Sequence, residues 1–130
     1  MGHTDAWRAL AVLTIKLLQS GGNEDLVSKG AKRVTVDYAS ESSVKSALTG
    51  VDVVISTVGN EGIELQGRLA LIAKEVGVKL FVPSEWGNPT DGATISIFAL
   101  KDGIKKKLKE IGLPYAAFYT GPWLDWYFGE

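Results

Sequence analysis

Polar residues suited to chemistry follow a short apolar run near the middle of the chain. Residues 78–82 read Val-Lys-Leu-Phe-Val, and residues 83–87 continue as Pro-Ser-Glu-Trp-Gly. Because Pro83 cannot donate to a strand ladder, a buried strand would end there. Open α/β sheets bind ligands at the carboxyl ends of their strands. The loop is therefore a candidate ligand site, although an ordinary turn after a strand has the same spacing.

Two kinds of chemistry are disfavoured at this loop. Ser84 lies in no Gly-x-Ser-x-Gly turn, and the single histidine is the distant His3, so a serine hydrolase is disfavoured. Glu85, Asp91 and Asp102 have no histidine or cysteine partner at ligand spacing, which disfavours a transition-metal site. The chain has no cysteine, and this excludes a thiol nucleophile and a disulfide framework.

Strands and helices are predicted to alternate along the chain. Apolar runs rich in β-branched residues predict strands at 33–37, 51–58, 78–82 and 115–119. Helical spacing of apolar residues predicts helices at 41–48, 61–76 and from near Ile95 to the stop at Gly112-Leu113-Pro114. This alternation across short glycine-containing turns predicts an α/β fold with a parallel, wound sheet.

The segment at residues 83–87 resembles the Pro-Ser-Glu-aromatic-Gly signature of the NmrA-like and isoflavone-reductase-like families. These are atypical short-chain dehydrogenases with an NAD(P)-binding Rossmann fold. The resemblance covers residues 23 to 129 and only the middle of a complete family member. It implies that residues 1–130 form a single partial Rossmann-like domain, a truncated member that lacks the first strand, the glycine-rich loop and the substrate-binding portion.

The glycine pattern agrees with that expectation, since none of the fifteen glycines forms Gly-x-Gly-x-x-Gly. In the doubly wound strand order the first strand is central, so its absence leaves a gap of ~9.5 Å. Either the two halves of the sheet pair directly or the amino-terminal segment fills the gap. Marginal stability is expected in both cases.

The amino-terminal segment itself fits two alternatives. Asp5 could cap a helix that runs to Leu18 and ends at Gly21-Gly22, and intrinsic propensity favours this helix. Residues 11–17 could instead form a strand, which the family resemblance favours. The resemblance also implies a short helix within residues 23–32.

Lys101 is the candidate catalytic residue. In the reductases that the chain resembles, a lysine three residues after a phenylalanine, here Phe98, orients cofactor and substrate and serves proton transfer. A lysine beside a nicotinamide can donate a proton to a developing oxyanion. Its helix is predicted to bury Leu100, Ile104, Leu108 and Ile111 and to expose Lys105, Lys106, Lys107 and Lys109. The alternative is that Lys101 is one more surface lysine.

The resemblance also implies an NADP or NAD cleft. Its lining would include the backbone of residues that follow two neighbouring strands: Thr57, Val58, Gly59, Pro83 and Ser84. Asp37 would lie near the adenine, although an aspartate that ends a strand is often a turn former. Trp86, Trp123 and Trp126 could stack on a ligand ring, with core packing as the alternative.

A phosphate site at residues 59–62, Gly-Asn-Glu-Gly, is weakly indicated. This segment lies between a predicted strand and a predicted helix, where phosphates bind. However, Glu61 and Glu64 place carboxylates in the first turn of that helix, where they complement the helix dipole and repel a phosphate.

Composition bounds the remaining classes of function. A chain of 130 residues that is 45% hydrophobic predicts one domain with one core. A net charge of −1 gives no bias towards nucleic acid, and no apolar run approaches the ~20 residues of a membrane span. We therefore expect a soluble, cytoplasmic protein.

Three functions remain open at this point. The first is an NAD(P)H-dependent reductase that acts on a small-molecule substrate. The second is a non-catalytic, redox-sensing NmrA-like regulator that binds the dinucleotide and contacts a protein partner. The third is an inactive fragment of a family member. Lys101 favours an enzymatic lineage, whereas the missing glycine motif argues against turnover by this chain.

Overall fold

The computed structural model describes residues 16–18, 24–123 and 128. Strands and helices alternate in it, as predicted for an α/β chain. In chain order the elements are β1 (Lys16–Leu18), α1 (Glu24–Ser28), β2 (Lys32–Val34), α2 (Glu41–Leu48), β3 (Val53–Ile55), α3 (Leu65–Glu75), β4 (Leu80–Val82) and α4 (Ser96–Glu110). A single 3₁₀ turn, Asn60–Gly62, precedes α3.

The strands form two parallel pairs, β1 with β2 and β3 with β4. In the second pair Val54 lies opposite Phe81. Within the described ranges no ladder joins the two pairs, so the halves of the sheet do not pair directly. The strand alternative is confirmed at Lys16–Leu18, and the rest of the predicted amino-terminal strand or helix lies outside the described residues.

The predicted strand at 115–119 is wrong beyond its first residue. Tyr115 makes one parallel bridge to Phe81, whose backbone N–H donates to Pro114 O at 2.9 Å. After Ala116 the chain leaves the sheet, and Gly121 N donates instead to Gly87 O at 3.2 Å. The aromatic side chains of this segment contact other elements instead of a neighbouring strand. Phe118 stacks on Trp86 in the loop after β4, and Tyr119 accepts a hydrogen bond from Lys105 of α4.

The predicted bounds of α2 are confirmed, because a local sequence signal marks each end of the helix. Ser40 caps it by accepting a hydrogen bond from Ser43 N at 3.3 Å. Gly50 follows it with φ +74°, a conformation that favours glycine. The helix predicted at 61–76 is instead divided into the 3₁₀ turn and α3. Gly62 lies against Val58 in that turn, where a Cβ would come within 2.9 Å of the valine Cβ.

The core lies between the β3–β4 pair and the helices that cover it. Phe81, Ala70, Ala73 and Leu108 are fully buried, and α3 and α4 pack closely where Gly67 faces Ile104. Leu100 was predicted to join this core, but it is 42% exposed because the core-facing stripe of α4 begins one turn later. In the described part of the chain, no helix is both long and apolar enough to cross a membrane.

Candidate functional site

The loops that follow β3 and β4 are tied to each other and to α3. Ser84 Oγ donates to Val58 O at 2.8 Å, which joins the two loops. Ser84 N donates to Gln66 Oε1, also at 2.8 Å. Gln66 is a buried polar residue of α3, and this bond satisfies its side-chain oxygen. The loop ends therefore have fixed positions at the carboxyl edge of the parallel pair.

Trp86 is held in a strained conformation at this edge. Its φ of +35° lies in the region that favours glycine, so surrounding contacts must compensate for the strain. Its indole N–H donates to Ser56 O at 2.8 Å, and its ring stacks on Phe118 with centroids 5.9 Å apart and planes 7° apart. Trp123 adds a third contact, because its indole N–H donates to Trp86 O at 2.8 Å.

Lys101 reaches the same edge from α4. The side chain is half-buried, and its ammonium donates to the backbone oxygen of Glu85 at 2.6 Å. A lysine ammonium has three donors, so this bond leaves two for other acceptors. Lys101 therefore differs from a surface lysine: a fixed acceptor orients its charged end.

These residues line an open cleft of about 450 Å³. Its lining consists of Thr57, Val58, Asn60, Ser84, Glu85, Trp86, Lys101 and Trp123. The volume is within the ~300–1,000 Å³ range of small-molecule sites. The cleft combines an ammonium, two hydroxyls, an amide and two indole rings, a set that can hydrogen-bond to and stack on a planar polar ligand.

The structure thus brings together four of the predicted site residues: Thr57, Val58, Ser84 and Lys101. Pro83 is fully buried, and neither it nor Gly59 contributes to the cleft lining.

Asp37 is likewise absent from the lining of the cleft. Its Oδ1 accepts from Ala39 N at 2.9 Å, and its backbone N–H donates to Ser43 Oγ at 3.1 Å, so it shapes the turn before α2. Trp126, a candidate for stacking, lies outside the described residues.

Asn60 and Glu85 also line the cleft, although the sequence patterns did not predict them as ligand-binding residues. Their positions could have indicated this, because each lies in a loop directly after a predicted strand. Glu85 was considered only as a metal ligand. Among the described residues no cluster of metal-ligating side chains occurs.

Lys105, one turn after Lys101, contradicts the prediction of a solvated side chain. It is 2% exposed, and its ammonium lies 3.0 Å from Asp91 Oδ1 and 3.1 Å from Tyr119 OH. The Tyr119 hydroxyl donates in turn to Asp91 Oδ2 at 3.1 Å, and its ring lies below the ammonium. We call these three residues the lysine cluster. It joins α4 to the long loop before it and to the segment after Tyr115.

The lysine cluster shifts the ionisation of its members. Hydrogen bonding by Lys105 holds the pKa of the Asp91 carboxyl below its ordinary value. Burial would lower the pKa of Lys105, but hydrogen bonds with Tyr119 and Asp91 outweigh burial and raise that pKa. Both shifts favour the charged pair.

Comparison with known proteins identifies the family. The family model described as the NmrA-like family matches residues 10–128. The chain belongs to the NmrA-like family. Phenylcoumaran benzylic ether reductase PT1 of Pinus taeda is 38% identical over 98 residues, which cover 71% of this chain and 32% of that protein. Isoflavone reductase homolog IRL of Zea mays is 40% identical over 95 residues, covering 65% and 31%.

Solved structures confirm a Rossmann-like reductase fold. AtPrR2 with NADP+ and (+)pinoresinol aligns with a TM-score of 0.65 at 28% identity, covering 72% of this chain and 34% of that one. An isoflavone reductase aligns with a TM-score of 0.69 over 90% of this chain and 43% of that one; at 21% identity, this likeness shows the fold alone. The chain spans about a third of the length of the curated relatives it matches.

Proposed function

We propose that this chain carries the nicotinamide side of the NAD(P)H cleft of an NmrA-like reductase, with Lys101 as the proton-transferring residue. The observation that carries the proposal is that Lys101, with its ammonium held by Glu85 O, lines one cleft together with Thr57 and Ser84, which follow neighbouring parallel strands. This position is where open α/β sheets bind ligands. The chain acts in this proposal as a single partial domain.

The donor set of the cleft fits that end of a dinucleotide. Two free donors on Lys101 and the amide of Asn60 suit the oxygens of a carboxamide or ribose, and the indoles of Trp86 and Trp123 suit an aromatic ring. A bound NAD(P)H would supply a hydride to the substrate. The reductases named among the relatives make a small-molecule substrate the expected partner of the cleft.

The chain's own residues have separate tasks in this proposal. Lys101 holds a proton on Nζ and delivers it to a substrate oxygen that becomes negative. The Glu85 carbonyl orients Nζ while this happens, because it occupies one of the three donors. Trp86 and Trp123 line the cleft and offer indole rings to an aromatic ring of the ligand.

Titration with NADPH tests the cofactor part of the proposal. We expect a Kd of about 0.1 mM or weaker, equivalent to ~5.5 kcal/mol, because the chain has no Gly-x-Gly-x-x-Gly phosphate loop. Tryptophan fluorescence should change on binding, since Trp86 and Trp123 line the cleft, and calorimetry gives the affinity. No binding at millimolar NADPH contradicts the proposal, whereas micromolar affinity contradicts the expected weakness and directs attention to residues 59–62.

Replacement of Lys101 tests the catalytic part. In a fusion that supplies family-like amino- and carboxyl-terminal segments, Lys101→Ala should reduce kcat for NADPH oxidation by roughly 10²- to 10⁴-fold, the usual contribution of a general acid. NADPH affinity should change far less. Lys109→Ala is the control, because Lys109 is an exposed lysine on the same helix. Equal effects of the two substitutions would contradict a catalytic Lys101 and favour a redox-sensing regulator.

A further inference from the structure

The loop after β4 folds back on itself through two buried polar side chains. Glu85 is 1% exposed and Thr90 is 2% exposed. The Thr90 hydroxyl donates to Glu85 Oε2 at 2.8 Å. A buried carboxylate is costly unless hydrogen bonds replace its lost hydration, so this bond constrains both residues.

The backbone oxygen of the same glutamate holds Lys101. Its distance of 2.6 Å from Nζ is short for a charge-assisted hydrogen bond. A lysine side chain has many rotamers, and the position of its ammonium therefore depends on the acceptor that it meets. Glu85 thus connects a buried contact on one side of the loop with the ammonium on the cleft side.

We propose that Thr90 and Glu85 are positioning residues for Lys101. Their side-chain hydrogen bond fixes the peptide unit of Glu85, and the carbonyl of that residue fixes the ammonium in the cleft. The catalytic meaning of this arrangement rests on the function proposed above for Lys101. The positioning itself does not, since every contact in it lies within the unliganded chain.

The loop has a second attachment to α4 that offers an alternative explanation. Asp91, the residue after Thr90, is bound by Lys105 in the lysine cluster. If this cluster alone held the loop, the Thr90 hydroxyl would be dispensable for Lys101. The two explanations differ in whether Lys101 responds when the hydroxyl is removed.

The test measures lysine acetylation in the unliganded chain. Trace acetic anhydride modifies lysines according to their accessibility and protonation, and peptide mass spectrometry gives the rate at Lys101 relative to the exposed Lys109. Thr90→Val removes the hydroxyl and keeps the shape, and it should raise this ratio by about threefold to tenfold, the range for the loss of one orienting hydrogen bond. Thr90→Ser keeps the hydroxyl and should restore the wild-type ratio.

Thr94→Val is the matched control, because Thr94 is an exposed threonine of the same loop. It should leave the ratio unchanged. An unchanged ratio in Thr90→Val overturns the proposal, and so does a parallel rise at Lys101, Lys105 and Lys109, which indicates general loosening. A failed NADPH titration leaves this result intact.

Glu85→Gln carries the test if Thr90→Val does not fold. This variant keeps the backbone carbonyl and a side-chain oxygen, but it replaces a charge-assisted hydrogen bond with a neutral one of roughly half the strength. The Lys101 ratio should therefore rise above that of the wild type. A ratio equal to that of the wild type overturns the proposal in this variant too.

Discussion

The two parallel pairs of this chain have the same strand length and very different surroundings. Beside the first pair, α1 has no buried residue, and its Leu26 is 39% exposed. In the second pair Phe81 is at 0% exposure, and so is Leu108 of α4, one of the helices that cover it. Hydrogen-bonded strands therefore do not by themselves create a core; the covering helices do.

The candidate cleft also lies in the second of the two regions. Every residue that lines the cleft lies between Thr57 and Trp123, in the packed part of the chain or next to it. Asp37, the one predicted cofactor residue before β3, is engaged in a turn instead. Among the described residues, the packed part thus holds both the core and the candidate cleft.

The largest effect is expected from a substitution that empties the core at Phe81. Phe81→Ala should reduce the free energy of unfolding by about 3–5 kcal/mol, because the removed ring leaves a cavity among residues that cannot collapse fully. That loss is a large part of the ~5–15 kcal/mol of an ordinary domain. Urea unfolding followed by tryptophan fluorescence measures it.

Leu26→Ala is the counterpart in α1, beside the first pair, and its effect should stay within ~0.5 kcal/mol because Leu26 is 39% exposed and α1 has no buried residue. A comparable loss in the two variants would show that the first pair contributes to a shared core.

Two glycines end helices in the same way in the two regions, so the same substitution can be made in both. Gly30 and Gly77 have φ values of +99° and +86°, and nothing lies within 4 Å of a Cβ built at either. An alanine at each position should therefore cost the same local strain, about 1–2 kcal/mol. For Gly77→Ala this cost should appear in the global urea midpoint.

For Gly30→Ala the cost should appear mainly as faster amide exchange near residues 26–31, because that region can open without the core. If Gly30→Ala lowers the global midpoint as much as Gly77→Ala does, the two regions unfold as one unit.

The lysine cluster gives the smallest expected effect, a dependence of stability on pH. Asp91 has a lowered pKa, so its contribution is present above the ordinary carboxyl pKa of ~4 and is lost as the pH falls through the lowered value. Lys105 has a raised pKa, so its contribution is complete below the ordinary lysine pKa of ~10.4 and is lost as the pH rises through the raised value. The pair therefore stabilises the chain across the neutral range.

Between pH 7 and pH 3 the urea midpoint should fall less in Asp91→Asn than in the wild type. The comparison must be a difference between variant and wild type, because Asp102 and Glu41 also have lowered pKa values, caused by Lys106 and Lys45. If the urea midpoint falls equally between pH 7 and pH 3 in the two proteins, the Asp91 pair adds nothing to stability. Many surface ion pairs make no measurable contribution.

Sequence patterns predicted the elements whose signals are local. Helix α2 has its Ser40 cap and its terminal glycine in the sequence, and its bounds were predicted without error. The strand centres at Val54 and Phe81 follow from apolar runs. The expected cover on both faces is wrong for β3, however, where Val53 and Ile55 are 43% and 61% exposed. The resemblance at residues 83–87 added the family and the cleft edge, which periodicity alone could not supply.

The patterns failed where a tertiary neighbour decided the outcome. Leu100 continues the apolar spacing of α4, yet none of the described elements covers it, and it is 42% exposed. Lys105 lies beside that stripe and is buried, because Asp91 and Tyr119, 14 residues away in each direction along the chain, converge on its ammonium. Partners at such separations leave no mark on helical periodicity.

The late position of α4 in the chain also has a consequence for biosynthesis. Synthesis proceeds from the amino terminus, so β3, α3 and β4 are made, and emerge from the ribosome, ahead of Ile104 and Leu108 of α4. During the seconds needed to add them, the inner face of the β3–β4 pair, with Val54 and Phe81, lacks its cover from α4. The nascent chain is then most in need of a chaperone.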